Sequence, residues 1–327
     1  MQTYRVRLRP RSATLSPWQA DTLFGHWCWL IRYEEGEAKL RTFLEPYKAG
    51  EPPIVLSNGF PGDWLPRPIL PPRLRAPSRK KTDQVEAMQA AKAGRDVRFV
   101  SLDDFNALCR GDEVLLTTSP DVVKERIELK NLINRLTGTT ASFEVEGEEV
   151  GGTLFDRQEL AYVDKSGVLP KPLDVSFYVK AADEESATKA ADLFRRLARS
   201  GYGAKKTVGY GQFEVAGFDR FDGFAELDDA NGFVSLSNWA PARGDPRMGF
   251  YDTLVKYGKL GEELAVSENP FKFPLTMLTA GSSFYAEGEV KEYYGRLVPE
   301  IAPGAPEVVQ YGYAFAIPAM LTKEGVL

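Results

Sequence analysis

Gly201-Tyr202-Gly203-Ala204-Lys205-Lys206-Thr207-Val208-Gly209-Tyr210-Gly211 is the stretch of this 327-residue sequence that most resembles a ligand site. Four glycines in eleven residues cost backbone entropy on folding, so something there must require open backbone. Two phosphate loops are excluded by spacing. The Walker pattern needs Gly-Lys-Ser/Thr, but Gly209 is followed by Tyr210; the dinucleotide fingerprint needs a third glycine where Lys206 stands. Both of those loops also run from a strand into a helix, whereas this one follows a helical pattern and precedes an alternating one. That order argues against a small-molecule nucleotide enzyme built around the loop. What remains is a loop whose amides, Lys205 and Lys206 approach a phosphate chain while Tyr202 and Tyr210 stack on bases, the usual way of holding single-stranded RNA. The same letters also describe a glycine-rich turn packed closely on a sheet.

Residues for acid–base or metal chemistry are sparse. The single histidine, His26, sits among Trp27, Cys28 and Trp29 at the edge of an apolar helical stripe, which suits a packed structural side chain. An RNA-cleaving enzyme would recruit a histidine for proton transfer, so a repeat-processing endoribonuclease using His26 is the alternative to a purely binding role. The acidic pairs Asp228-Asp229 and Glu148-Glu149 read as solvated loop charges rather than ligands. Two cysteines, Cys28 and Cys109, make no disulfide framework and have no metal-ligand spacing. The expectation is a protein with no catalytic residue, no metal and no cofactor.

Charge is uneven. The chain carries a formal net charge of -5. Residues 1–217 hold 32 basic and 30 acidic residues, and residues 218–327 hold 9 and 16. Trp64–Thr82 contains Arg67, Arg73, Arg75, Arg79, Lys80 and Lys81 with no acid; Leu193–Phe213 contains Arg195, Arg196, Arg199, Lys205 and Lys206, again with none. Acid-free basic segments in an acidic protein point to a local polyanion site, with the acidic C-terminal part facing protein instead. Hydrophobic residues make up 43%, as in an ordinary globular protein. No apolar run nears the roughly 18 residues of a membrane span, and the N-terminus lacks a signal-peptide h-region. A cytoplasmic protein is expected.

The elements that must hold the loop are legible. TYRVRLR alternates as a half-buried strand. Gln19–Tyr33 places Ala20, Leu23, Phe24, Trp27, Leu30 and Ile31 at helical spacing, and about Glu184–Ser200 repeats the pattern. Strand patterns flank that second helix at DVSFYVK and TVGYGQFEV. The predicted fold class is α+β: a ferredoxin-like (RRM-like) split β-α-β domain over 1–217, with an insertion at about Leu44–Leu173 that includes an amphipathic piece at Asp83–Lys92. Residues 218–327, with strands at Phe233–Asn238, Pro274–Leu278 and Val308–Pro318, are enough for a second small α+β unit.

The helix, the G-x-G-x5-G-x-G loop and the aromatic strand after it resemble the glycine-rich loop of the RAMP superfamily of CRISPR proteins. Further stretches narrow the match. They are Ala20-Asp-Thr-Leu-Phe-Gly25-His-Trp-Cys-Trp29, Phe60-Pro61 leading to Leu65-Pro-Arg67-Pro68, and Asn131-Leu-Ile-Asn134-Arg135-Leu-Thr137-Gly138-Thr139-Thr140. With Tyr294-Gly295-Arg296-Leu297 and Val309-Gln-Tyr311-Gly312-Tyr313-Ala314 they are similar to the fourth subunit of the type III-A Csm effector complex. The resemblance implies a second ferredoxin-like domain, over 218–327, and a subunit that grips the repeat-derived 5′ tag of the guide RNA, near the target RNA. It also implies that the subunit joins the large polymerase-like signalling subunit to the backbone RAMP subunits. The implied RNA contacts are the glycine loop, Asn131, Asn134 and Arg135, with Arg67, Arg79, Lys80 and Lys81 from the basic segment; Thr137 and Thr139 would order the turn at Gly138. One departure is Lys130, where relatives often carry histidine.

Overall fold

The structure is a computed structural model and describes residues 1–71, 96–116, 120–131, 133, 136–140, 142–145, 148–151, 154–165 and 168–322. Two five-stranded antiparallel sheets carry the fold. The first is built from β1 (Gln2–Pro10), α1 (Ala20–Glu35), α2 (Glu37–Ala49), β2 (Ile54–Leu56), then β3 (Val175–Ala181), α4 (Glu184–Leu197) and β4 (Phe213–Arg220), with α3 (Leu102–Cys109) in the insertion between. Its strand order is β4-β1-β3-β2, with Phe60–Pro61 added beside β3. That is the 4-1-3-2 order of a split βαββαβ unit.

Sequence explains this sheet. Alternation in β1 buries Tyr4, Val6 and Leu8, and β3 is buried along its whole length, as a central strand under helices should be. Helix α1 buries Leu23, Phe24, Trp27 and Ile31 on one face. Helix α4 starts on Asp183, whose carboxylate accepts the Ser186 amide at 2.8 Å, a side-chain N-cap. Trp27 meets Phe194 of α4 edge-on at 5.2 Å, and burying rings of this size contributes roughly 1.5–3 kcal/mol each.

Two boundaries differ from the sequence expectation. The sheet claims residues as far as Pro61, because β2 and Phe60–Pro61 pair with β3; the insertion therefore begins beyond Pro61 rather than at Leu44. Strands of three and two residues are too short to show a period. The TVGYGQFEV strand begins only at Phe213, and Lys206–Val208 form a 3-10 turn instead. Left-handed φ values of +96° at Gly209 and +63° at Gly211 bar an extended chain there.

Residues 218–327 contribute β5 (Gly232–Ser235), β6 (Gly249–Phe250), β7 (Ser283–Tyr285), β8 (Tyr293–Gly295) and β9 (Tyr313–Ala319), in the order β6-β7-β5-β9-β8. The ferredoxin-like unit expected here would bring helices, as in the first unit. Among the described residues of this part there is none, only a 3-10 turn at Glu262–Val266. From Leu236 to Gly312 no stretch longer than eight residues lacks proline or glycine, which disfavours a long helix there. The two sheets share one apolar cluster: Val234, Leu236, Tyr311 and Phe315 pack with Leu23, Phe24, Tyr47 and Val179. Buried polar ties reinforce the seam. Lys180 donates to Glu292 at 2.6 Å and to the Ala316 carbonyl at 2.8 Å, and Asp21 accepts from Gln310 at 2.6 Å and pairs with Lys256 at 2.9 Å.

The insertion presents a long antiparallel hairpin, Val123–Asn131 against Leu154–Asp164. Its base is fixed to the body by paired backbone bonds between Thr14 and Leu160, 2.9 and 2.8 Å long, and by Tyr162, whose hydroxyl donates to the Gly59 carbonyl at 3.2 Å. Among the described residues no helix is long and apolar enough to cross a membrane.

Candidate nucleic-acid interface

The glycine loop joins α4 to β4 and divides into two arcs. The inner arc is architecture. Tyr202 is fully buried, stacked on Trp18 at 4.2 Å. Its hydroxyl donates to the Pro17 carbonyl at 2.6 Å and accepts the Gln19 amide at 2.8 Å. Tyr202 therefore holds the N-terminal segment against the core and presents no ring to a base, which corrects the sequence reading of this residue. The Tyr202 amide donates to the Gly211 carbonyl, and the Gly211 amide to Ala13. A Cβ on Gly211 would lie 1.8 Å from the Tyr202 carbonyl oxygen, so the two ends of the loop meet only because this residue has none.

Much of the loop's amide capacity is spent inside the protein. Gly203 donates to His26 Nε2 at 2.8 Å, and Ala204 to the Ser16 hydroxyl at 3.2 Å. An amide donor on Nε2 requires its lone pair, so the His26 proton resides on Nδ1. Burial first, and the Lys206 ammonium second, push the imidazole down to about 4. His26 is thus a neutral strut beneath the loop.

The outer arc, Lys205–Tyr210, faces outward. Lys205 is exposed, with φ +56° and its ammonium 5.9 Å from the Phe155 ring. Gly209 is also exposed, and a Cβ there would meet nothing within 4 Å. Tyr210 is half-buried and donates to Glu159 at 2.5 Å, while the Arg157 guanidinium lies 5.5 Å over its ring. Lys206 is paired with Glu262 at 2.6 Å. That carboxylate comes from the acidic C-terminal part and itself has a left-handed φ of +51°.

Other expected site residues fall into three groups. Asn131 is exposed at the far end of the hairpin. Its register with Leu154 puts it on the face opposite Arg157 and Glu159, which touch the loop. Ile127, Leu129 and Leu154 share its side, each about two-thirds exposed. Lys130 is tied to Glu128 by an ion pair. Thr137 and Thr139 bond to each other at 2.7 Å around Gly138, whose φ is +69°. Arg67 stands elsewhere: its amide donates to Arg98 at 3.0 Å, and its carbonyl lies beside Gly281 near the second sheet. Asn134, Arg135, Arg79, Lys80 and Lys81, like the Asp83–Lys92 piece, lie outside the described residues.

Sequence reasoning missed the loop's supports. Ser12, Thr14 and Ser16 link the loop to the hairpin, since Gln212 donates to the Ser12 hydroxyl at 2.9 Å and Thr14 bridges Leu160. Phe155, Arg157, Glu159 and Glu262 come from remote segments, and no local pattern announces them.

Sheet and loop together define an α+β protein on a ferredoxin-like sheet, with a glycine-rich loop presented between helix and edge strand. No protein-family model matches the sequence, and no curated protein matches it. Solved structures do. A chain of the Csm1-Csm4 cassette in complex with pppApA matches at TM-score 0.62 and 18% identity, over 99% of this chain and 100% of that one. The cassette with cA4 gives the same values. The Csm3-Csm4 subcomplex of the type III-A CRISPR-Cas interference complex gives 0.61 at 14% identity, over 97% and 99%. The matching chain is Csm4 in each. The fold of this chain is that of Csm4.

Proposed function

We propose that this chain is the non-catalytic subunit of a type III CRISPR effector, in antiviral defence, that holds the 5′ repeat-derived tag of the guide RNA in the cytoplasm. It joins the large polymerase-like signalling subunit to the backbone RAMP subunits, close to the target RNA. The observation that carries this reading is the exposed outer arc of the glycine loop on a fold shared along the whole chain with Csm4. Lys205 supplies a cation with no ion pair among the described residues, beside Phe155; open backbone at Gly209 lets a sugar-phosphate chain come close, and Arg157 lies alongside. Association with a large subunit is supported by the likeness to a chain of a Csm1-Csm4 cassette, and with a backbone subunit by the likeness to a Csm3-Csm4 subcomplex. The chain divides by task near residue 217, with RNA held mainly by the part before it and protein met by the acidic part after it.

A non-catalytic role is supported by His26. Its Nε2 is occupied by the Gly203 amide and its imidazole is held neutral well below the pH of the cell, so a proton-transfer role would require the loop to let go. Photocrosslinking of labelled guide RNA to the full chain tests the reading. Crosslinks should map to residues 205–210 and the hairpin, and the RNA should stay intact with or without divalent metal. Crosslinks confined to 218–327, or cleavage lost on His26→Ala, would overturn it.

A further inference from the structure

Behind the outer arc lies a cleft of about 360 Å³, bounded by the second half of α1, the end of α4, the loop and the 3-10 turn of the C-terminal part. Small-molecule sites occupy roughly 300–1,000 Å³, so the space suits one flat ring system with its sugar outside. Trp29 and Tyr33, one helical turn apart on α1, stack with centroids 5.5 Å apart and planes at 27°, and Tyr33 is half exposed. Facing them are Lys206, Thr207 and Glu262, with His26 alongside.

We propose that this cleft receives one unstacked base of the bound single-stranded RNA, with Tyr33 as its stacking platform and the Lys206–Glu262 pair reading its edge. The proposal rests on the RNA-binding reading of the glycine loop and adds a subsite to it. Three observations converge. An aromatic tandem with one open face is extended by a nucleobase at little cost, because every base has a π-face. Lys206 and Glu262, 2.6 Å apart, set an ammonium donor beside a carboxylate acceptor. A base edge likewise sets an acceptor beside a donor, so one base can satisfy both without leaving a half-buried charge unpaired. The cleft is lined on the loop side by Lys206 and Thr207, directly after Lys205 in the chain, so a base of a strand held at Lys205 has the cleft one residue away. The ligand chemistry is thus a planar heterocycle on a phosphodiester chain.

The test uses the full chain and single-stranded RNA carrying the repeat-derived tag, with each nucleotide in turn replaced by an abasic one. Wild-type protein should lose roughly tenfold in affinity at one position, the scale of a single base–aromatic stack. In Tyr33→Ala the penalty at that position should fall below about twofold while penalties elsewhere persist, and Tyr33→Phe should restore it. A penalty profile unchanged by Tyr33→Ala, in a protein that still depends on Lys205, would overturn the cleft assignment and leave the tag-binding reading intact. Absence of RNA binding altogether would overturn both. Calorimetry with the four ribonucleoside monophosphates separates the other source of the same chemistry. Saturable binding abolished by Tyr33→Ala, without a Tyr33-dependent abasic position, would assign the cleft to a free nucleotide and overturn the proposal.

Discussion

The two arcs of the glycine loop share a composition and differ in everything else. The inner arc, Gly201–Gly203 with Gly211, is buried, hydrogen-bonded to the core and closed by a contact that admits no side chain. The outer arc, Lys205–Tyr210, has its glycine in open space and its free lysine outside. Of the two open readings of the sequence, the packed turn describes the inner arc, and the phosphate cradle is the role proposed for the outer one. The teaching is that glycine density marks a loop of unusual geometry without saying which glycines serve the fold. The decisive quantity is what a Cβ would meet.

That division can be broken by mutation. Gly211→Ala carries the largest expected effect. It puts a methyl group onto the Tyr202 carbonyl at a left-handed φ and should cost on the order of 4 kcal/mol or prevent folding, read by urea unfolding. Gly209→Ala meets no neighbour and pays only for its φ of +96°, on the order of 1–2 kcal/mol; equal losses at the two positions would erase the distinction.

Next in size is a pH effect. His26 is held at about 4 in the folded chain against an ordinary value of 6.5. Unfolded chains therefore bind a proton first as pH falls, and the stability present above pH 6.5 is lost progressively between about 6.5 and 4. The loss amounts to about 3 kcal/mol at the lower end. Urea midpoints of wild type and His26→Asn across that range should converge as the pH drops; parallel profiles would show that His26 is not the neutral strut described.

Smaller effects separate the arcs by readout. Tyr202→Phe removes a hydroxyl that serves Pro17 and Gln19 and should destabilise the fold by about 1–2 kcal/mol, with RNA affinity unchanged once folded. Glu262→Gln leaves stability nearly unaltered, since a partly exposed ion pair contributes about 1 kcal/mol or less. It removes the carboxylate that stands beside Lys206 in the cleft and should lower affinity for the tag RNA a few-fold, at the same nucleotide that Tyr33 serves. A rise in affinity would mean that the carboxylate only neutralises Lys206 and reads no base.

How much of this was legible follows from which forces are local. Strands β1 and β3 and helices α1 and α4 announce themselves because apolar residues recur with the period of the element, and the order of these elements led to the first sheet. Among the described residues, the helices that a ferredoxin-like unit after residue 218 would carry are absent for the opposite reason. That part was assigned by analogy with the first, while its own prolines and glycines, with never more than eight residues between successive ones from Leu236 to Gly312, disfavour long helices. Within the site, the loop and Lys205 were readable from composition. Tyr202 was misread because a tyrosine beside glycines looks available for stacking, and only the Trp18 ring across it shows otherwise. Glu262, Arg157 and Ser16 were invisible because they lie far along the chain and reach the loop only through the fold.

The central claim, that the outer arc holds the RNA phosphate chain, is tested most directly by salt-dependent binding. Affinity of the full chain for single-stranded tag RNA is measured by anisotropy across a salt series, for wild type, Lys205→Ala and Lys206→Ala. Because Lys205 has no ion pair among the described residues and Lys206 is paired with Glu262, Lys205→Ala should weaken binding the more and reduce the salt slope by about one. Lys206→Ala should change the slope by less. Affinities and slopes that match wild type in Lys205→Ala, with the fold intact, would contradict the account and move the RNA away from this loop.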